Sequence, residues 1–493
     1  MSHSVLSNRK SGNTIGSRLR VALAAGAAIL TLGSTPSFGV SLKEAVSVAL
    51  DSNPNIGEAI ENREAIEFEL RQAKGLLLPS IDLEAGAGVR RLDNPSRRAI
   101  DQQDDILEPV DVGVVVTQKL YDGGRIRAEM DRQASRVDSA SFRVLERSQY
   151  IALQVVREYL EYILQSEIVG ASAENVRRHR SFARKVRSGS SGGTLTEADN
   201  QQARERVLSA QAKLQSAEEE LGVARIRFRR LTGVPIGRTT HPGSYARHIP
   251  ASLSKAIGLG RKNNPRVHMA RADIDAADAQ VDAAKANKLP EVVLEGRART
   301  GHDIDGAEGR TTDLQGRVVM KWNLWRGGIK EADEQEQVRR ASEQRMILHQ
   351  VHRQIEESVR TSWDRRIKQA GLAGTLRVQA GQNARLVNSY QQQFSVGQRS
   401  LLDVLDAQNT RYNVDVLAKT ARYASLFAEY RILASTGQLL DVLKLKPARQ
   451  SEAYARAEFE VPETVAAETH RRTPSRQVNN LPMDLLAPIR RRN

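Results

Sequence analysis

The sequence predicts a mixed α/β chain, internally duplicated, in which each half supplies a helix, two amphipathic strands and then two long helices. Three observations carry that expectation. Motifs recur at a nearly constant offset, apolar residues switch locally to period two, and long stretches elsewhere keep apolar residues seven apart.

The repeat comes first. Ser41-Leu42-Lys43-Glu44-Ala45-Val46 returns as Ser252-Leu253-Ser254-Lys255-Ala256-Ile257, and Asn53-Pro54 returns as Asn264-Pro265. Leu78-Pro79 with Leu83-Glu84 returns as Leu289-Pro290 with Leu294-Glu295; all these pairs lie 211 positions apart. Leu120-Tyr121-Asp122-Gly123-Gly124 is matched by Leu324-Trp325-Arg326-Gly327-Gly328 at a shift of 204. That shift also carries Gly193 to Gly397, Asp199 to Asp403 and Thr232-Gly233 to Thr436-Gly437. One offset broken once, by seven residues, is a duplication with a single loop-length difference. Repeat one is placed at 40–245 and repeat two at 246–447.

Each repeat opens on a helix. Residues 42–77 carry Ala59, Ile66 and Ala73 seven apart, and Pro79 ends the stretch because proline disfavours helix at the residue before it. The period then changes to two. Ile81, Leu83, Ala85, Ala87 and Val89 share one face; Asp82, Glu84, Gly86 and Gly88 share the other. Residues 92–108 are polar and read as a loop. Val112, Val114, Val116 and Leu120 then alternate with Asp111, Gly113, Thr117 and Lys119, with Gln118 a polar exception on the apolar face. In repeat two, Val292, Leu294 and Ala298 oppose Glu295, Arg297 and Arg299. Leu314, Val318, Met320, Trp322 and Leu324 oppose Gln315, Arg317, Lys321 and Asn323. These are four strands, each apolar on one face.

After each Gly-Gly pair a long helix is expected. Met130, Val137, Val144 and Ile151 are spaced by seven. Val207, Ala210, Leu214, Ala217, Leu221, Ala224, Phe228 and Leu231 form an a/d series, and Leu426, Leu433 and Leu440 do the same near the end of repeat two. Residues 126–187 would run about 90 Å as one helix. Residues 448–493, with four prolines, scattered charge and terminal Arg490-Arg491-Arg492, read as a mobile tail.

Composition sets the compartment. The 493 residues include no cysteine and carry a formal net charge of +15. Zero cysteine excludes a disulfide scaffold, a thiolate-zinc site, a cysteine nucleophile and a lipidated N-terminal cysteine. Residues 1–39 read as a secretory signal peptide. Arg9, Lys10, Arg18 and Arg20 precede an apolar run from Val21 to Leu32, and small residues stand before Val40. No segment is long and apolar enough for a transmembrane helix, whereas the alternating strands suit a membrane β-barrel. Four strands cannot close a barrel, and open edges cannot face lipid, so copies of the chain must assemble. The alternative is a periplasmic coiled-coil structural or adaptor protein without a barrel.

No catalytic constellation stands out, and no cofactor is expected. His349 and His352 lie three apart on a helix without a third ligand, which reads as a solvated face. His302-Asp303-Ile304-Asp305-Gly306 lacks the spacing and closing Glu of a calcium loop. Basic residues are interspersed with acids and not interleaved with aromatics, so no nucleic-acid partner is expected. Asp403 and Asp406, three apart, share one helical face beside Leu401, Leu402, Val404 and Leu405. Spacing alone also fits acids favouring a helix start.

The chain resembles the TolC family of outer-membrane efflux and secretion ducts. The residues that carry the resemblance are the duplicated Ser-Leu-x-x-Ala and Asn-Pro openings, the two Leu-aromatic-x-Gly-Gly turns, and the run Phe394-Ser395-Val396-Gly397-Gln398-Arg399-Ser400-Leu401-Leu402-Asp403-Val404-Leu405-Asp406-Ala407-Gln408. The resemblance covers about residues 41–445. It implies a homotrimer whose twelve-stranded outer-membrane barrel, four strands per chain, continues as a long periplasmic coiled-coil α-barrel closed at its far tip. It also implies outer-membrane lipid around the barrel, a periplasmic adaptor and an inner-membrane transporter as partners, and passage without chemistry. Asp403 and Asp406 match the family's acidic ring at the periplasmic entrance. Arg399 matches its gating arginine and Asp199 the acidic partner of that arginine. Phe394 stands where a tyrosine would add a hydroxyl contact, and Ser190-Ser191-Gly192-Gly193 replaces an aromatic-x-x-Gly.

Overall fold

The structure is a computed structural model that describes residues 40–306 and 308–462. The expected signal peptide and residues 463–493 lie outside the described residues.

The opening helix is two helices. Ser41 caps α1 (Leu42–Ser52) in a reciprocal box with Glu44, whose own N–H donates to Ser41 Oγ at 3.2 Å. The chain then leaves the helical region at Asn53, where ψ is 123°, because the ring of Pro54 excludes helix at the preceding residue. Pro54 starts α2 (Pro54–Gly75). The continuous helix expected over 42–77 is therefore corrected to a broken pair. Asn53 serves the break twice: its Oδ1 accepts from Asn55 N at 3.0 Å, and its Nδ2 donates to Leu231 O at 2.8 Å. Asn264 repeats both bonds in the second half, to Arg266 N and Ser435 O, each at 3.0 Å. The duplicated Asn-Pro thus ties the start of one helix to the end of a distant one.

Four strands follow the expected positions with shifted ends: β1 (Ser80–Ala87), β2 (Val110–Tyr121), β3 (Glu291–His302) and β4 (Arg310–Lys321). They form one antiparallel sheet in the order β1-β2-β3-β4, with β1 and β4 as open edges. Register places Leu83, Val114, Ala298 and Leu314 in one row across the sheet. Odd and even positions separate as the alternation predicts. The apolar face stands exposed, with Leu83 at 73% and Leu314 at 83%. The opposite face is laced across strands: Arg299 to Asp111 at 2.9 Å, Arg317 to Glu295 at 2.7 Å and Arg297 to Glu84 at 3.6 Å. Gln118, the polar residue on the apolar face, donates to Leu77 O at 3.0 Å where the sheet meets the helices. Val89, Trp322 and Leu324 fall outside the strands. Trp322 instead donates to Lys288 O at 3.1 Å, and it joins Tyr121 and Trp325 as exposed aromatics near that end of the sheet. The loop at 92–108 contains one helical turn, Pro95–Arg98, and a two-residue pairing of Arg90–Arg91 with Ile106–Leu107.

Each Gly-Gly pair turns the chain out of the sheet with successive left-handed residues, at φ 72° and 91° for Gly123 and Gly124. Gly123 is required twice over, since a Cβ there would lie 2.9 Å from Ala286 O. Then come the long hairpins: α3 (Arg125–Ser191) with α4 (Glu197–Thr232), and α7 (Ile329–Ser395) with α8 (Leu401–Ser435). At 67 residues, α3 spans about 100 Å. Its return is shared by α4, α5 (Leu253–Asn263) and α6 (Pro265–Ala286), of 36, 11 and 22 residues. The seven-residue spacing marks the buried seam: Met130, Val137, Val144 and Ile151 are all buried, as are Ala210, Ala217, Ala224 and Phe228. Leu440 does not extend the α8 series in the same helix. The helix ends at Ser435, Gly437 adopts φ 74°, and Leu440 lies in α9 (Leu439–Val442). The largest apolar cluster joins α1 to the middle of α3 and the ends of α4 and α8 through Leu42, Val46, Tyr159, Phe228 and Tyr430. No helix among the described residues is long and apolar enough to cross a membrane.

The tail expected to be mobile from 448 is docked as far as 462. Buried Asp138 of α3 accepts from the backbone N–H groups of Tyr454 and Ala455 at 2.9 and 2.8 Å, capping α10 (Ala455–Glu458). Arg456 then bridges Asp138 at 3.0 Å and Asp275 of α6 at 2.6 Å. Phe459 packs with Leu70, Met130 and Val137. Proline content and scattered charge hid this because the segment makes no core of its own; it completes one built by α2 and α3.

Candidate functional site at the helical tip

The two hairpins turn in the same way. Gly193 and Gly397 carry φ 74° and 76°, and each following helix begins with a hydroxyl cap, Thr196 for α4 and Ser400 for α8. Beneath the turns lies an apolar plug contributed by both repeats: Phe182, Val186, Ala203, Leu401, Val404 and Leu405. Phe394 belongs to its border. Its ring sits 5.3 Å from that of Phe182, so it joins α7 to α3 by packing where a tyrosine would have offered a hydroxyl.

Leu401, Val404 and Leu405 face this plug, which turns Asp403 and Asp406 outward, with side chains 43% and 59% exposed. Each acid has a cationic neighbour. Asp403 lies 3.6 Å from Arg399, one turn back, and its N–H donates to Ser400 Oγ at 3.2 Å. Asp406 lies 3.2 Å from Arg206 of α4. Arg399 also donates to Gln393 Oε1 at 3.2 Å and stacks over Tyr390 at 4.2 Å. Asp199 is occupied elsewhere. It closes a capping box with Thr196, accepting from that residue's N–H at 2.9 Å and hydroxyl at 2.7 Å, which holds its carboxyl below the usual range. Within one chain the structure brings Arg399 to Asp403, and does not bring it to Asp199.

Three residues of this site escape sequence reasoning. Arg206 and Lys213 stand two turns apart on α4, with His179 of α3 close to both, and no spacing rule pairs Arg206 or Lys213 with partners some two hundred residues away. Lys213 donates to Asn409 Oδ1 at 2.6 Å and lies over Tyr412, whose hydroxyl meets Ser172 Oγ at 2.8 Å. His179 is buried, and that burial, with Arg206 and Lys213 nearby, pushes its pKa down to about 4.

Elsewhere the carboxylates of the candidate calcium motif are otherwise engaged. Asp303 accepts from Gly309 N at 2.8 Å, and Asp305 pairs with Arg299 at 3.2 Å. His352 is partly buried and presents no ligand set with His349; among the described residues no group of three His, Asp or Glu is placed to hold a metal ion.

A one-sided apolar sheet at one end of such hairpins, with a turn-rich charged tip at the other, defines an outer-membrane channel subunit of efflux and secretion systems. The family model described as outer membrane efflux protein matches residues 45–234 and 256–438, and the chain belongs to that family, the one that includes TolC. It is 24% identical over 353 residues to the outer membrane efflux protein BepC of Brucella suis biovar 1, covering 69% of this chain and 76% of that one. It is 22% identical over 458 residues to the outer membrane protein TolC of Escherichia coli K12, covering 87% and 89%. The crystal structure of the Campylobacter jejuni CmeC outer membrane channel superposes with a TM-score of 0.72 at 16% identity, over 85% of this chain and 89% of that one.

Proposed function

We propose that three copies of this chain close a twelve-stranded barrel in the outer membrane and continue into the periplasm as a helical conduit, which passes cargo without chemistry. A periplasmic adaptor and an inner-membrane transporter complete the path. The observation that carries this reading is the sheet: four strands, apolar on one face, charged on the other, with both edges open. β1 has eight residues, but the twelve residues of each of β2, β3 and β4 reach about 40 Å, and a tilt of about 45° reduces this to about 28 Å, close to the lipid-facing band of about 25 Å. The exposed aromatics Tyr121, Trp322 and Trp325 stand where such a band meets water. Three copies pair β1 of one with β4 of the next and leave no edge.

The test is to wash membranes with urea and carbonate, extract the retained protein in detergent, and measure mass and bilayer conductance together. A trimer with stepwise conductance is expected. Removal by the washes, or a monomer without conductance, overturns the reading and returns the coiled-coil adaptor alternative.

At the tip, Asp403 and Asp406 line the entrance, and Arg399 with Asp199 and Phe394 forms the latch that holds it shut; what supports this reading is their match to the family's run, while within one chain Arg399 meets Asp403. An exposed arginine–carboxylate contact contributes on the order of 1 kcal/mol or less, weak enough for an adaptor to break. Arg399→Ser is expected to raise closed-state conductance, Asp199→Ala to raise it less because its first role is the α4 cap, and the double variant to add little. Wild-type conductance in Arg399→Ser removes that residue from the latch.

A further inference from the structure

The pair Arg206–Asp406 couples two roles that the latch reading keeps apart. Arg206 lies on α4 of repeat one and Asp406 on α8 of repeat two, both helices running away from the tip. Their contact at 3.2 Å is followed further along the same two helices by Lys213 to Asn409 at 2.6 Å. The seam between them, which His179 of α3 borders, is polar and incompletely satisfied: His179 Nδ1 and the Gln408 side-chain amide are buried without hydrogen-bond partners among the described residues, and Arg206 Nε has the Glu205 carboxylate only at 3.6 Å. Each such atom carries a burial cost that hydration of a parted seam would recover. The contact that keeps the seam together must therefore offset a tendency to open. It also changes the electrostatics of the entrance. Arg206 stands against Asp406 as Arg399 stands against Asp403, so each entrance carboxylate faces a guanidinium.

Resting on the duct reading above, we propose that Arg206 is a second gate arginine, which bolts α4 to α8 and sets ion selectivity by neutralising one of the two entrance carboxylates. An entrance so balanced discriminates weakly between cations and anions until Arg206 is removed or swings away.

Single-channel recording of the detergent-extracted protein in potassium chloride tests this. Arg206→Gln is expected to raise closed-state conductance and to shift the potassium-to-chloride permeability ratio towards potassium by roughly twofold to fivefold, the range one unit charge sets at contact in a watery pore. The shift shrinks at about 1 M salt, where screening acts within about 3 Å. Arg206→Lys keeps the wild-type ratio. Arg206→Gln combined with Asp406→Asn returns the ratio towards wild type, because charge balance is restored, while the raised closed-state conductance persists. Asp406→Asn alone shifts the ratio towards chloride. Packing effects alone do not produce a ratio that follows charge and salt. An unchanged ratio in Arg206→Gln, or a double variant as cation-selective as that single one, overturns the assignment and leaves the duct reading standing. A wild-type protein with no conductance overturns both.

Discussion

Val114→Arg and Leu314→Arg are each expected to abolish stable insertion in the outer membrane, whereas Thr117→Arg is tolerated. Val114 and Leu314 stand in the same cross-sheet row on the apolar face. Thr117 is on the other face and directly opposite Glu295, where an added guanidinium gains a partner. A basic residue facing the middle of the apolar band costs about 2–4 kcal/mol, and a trimer carries that cost three times, about 6–12 kcal/mol. The measurement is the fraction of protein surviving urea and carbonate washes as a trimer. Equal recovery of all three variants would mean that the apolar face does not meet lipid.

Asp138→Ala is expected to release the docked segment 448–462 and to lower the stability of the region where α2, α3 and α6 meet by about 3–5 kcal/mol, the usual consequence of removing one partner from a buried charged cluster. The change removes acceptors from the N–H groups of Tyr454 and Ala455 and leaves Arg456 with Asp275 alone. Limited proteolysis should cut within 448–462 in the variant and not in the wild type, with a lower melting temperature for the extracted protein. Asp138→Asn, which keeps an acceptor for the backbone bonds, should fall between the two. An uncut segment in Asp138→Ala shows that Phe459 and its apolar neighbours hold it without the carboxylate.

Periodicity carried most of the fold because both periods report burial directly. The period-two face matched the sheet rows up to Lys119, where a register shift puts Tyr121 in place of Leu120 opposite Val292, and the seven-residue spacing of Met130, Val137, Val144 and Ile151 marked the buried side of α3. What periodicity missed were local backbone events and long-range pairs. The break at Asn53 depends on one torsion imposed by Pro54, and the spacing of Ala59, Ile66 and Ala73 begins only after it and so carries no mark of it. Trp322 and Leu324 continued an alternating pattern past the point where hydrogen bonding stops at Lys321. At the tip, Asp403, Asp406, Arg399 and Phe394 were legible as one contiguous run. Arg206 was not, because its partner lies on a helix from the other repeat. Asp138 carries no sequence signal beyond being a helical acid next to Val137; its burial is explained by the arrival of residues 454–456, which bring backbone N–H groups and the Arg456 guanidinium to it.

The lengths of the helices have a consequence for the order in which the chain folds. Strands β1 and β2 are joined by residues 88–109, and β2 and β3 by residues 122–290, or 22 against 169 residues. For a flexible chain the longer closure is about 1.8 kcal/mol less favourable, roughly a twentyfold handicap, so the two hairpins precede the central seam. The helices remove the handicap. The chain leaves the sheet along the 67 residues of α3 and returns along 36, 11 and 22 residues of α4, α5 and α6, which delivers Glu291 beside the strand it left. Helix length therefore acts as a measuring rod. One turn added to α3 and not to its return path would arrive at the sheet about 5.4 Å out of step, more than one residue of strand, and would present β3 to β2 in the wrong register.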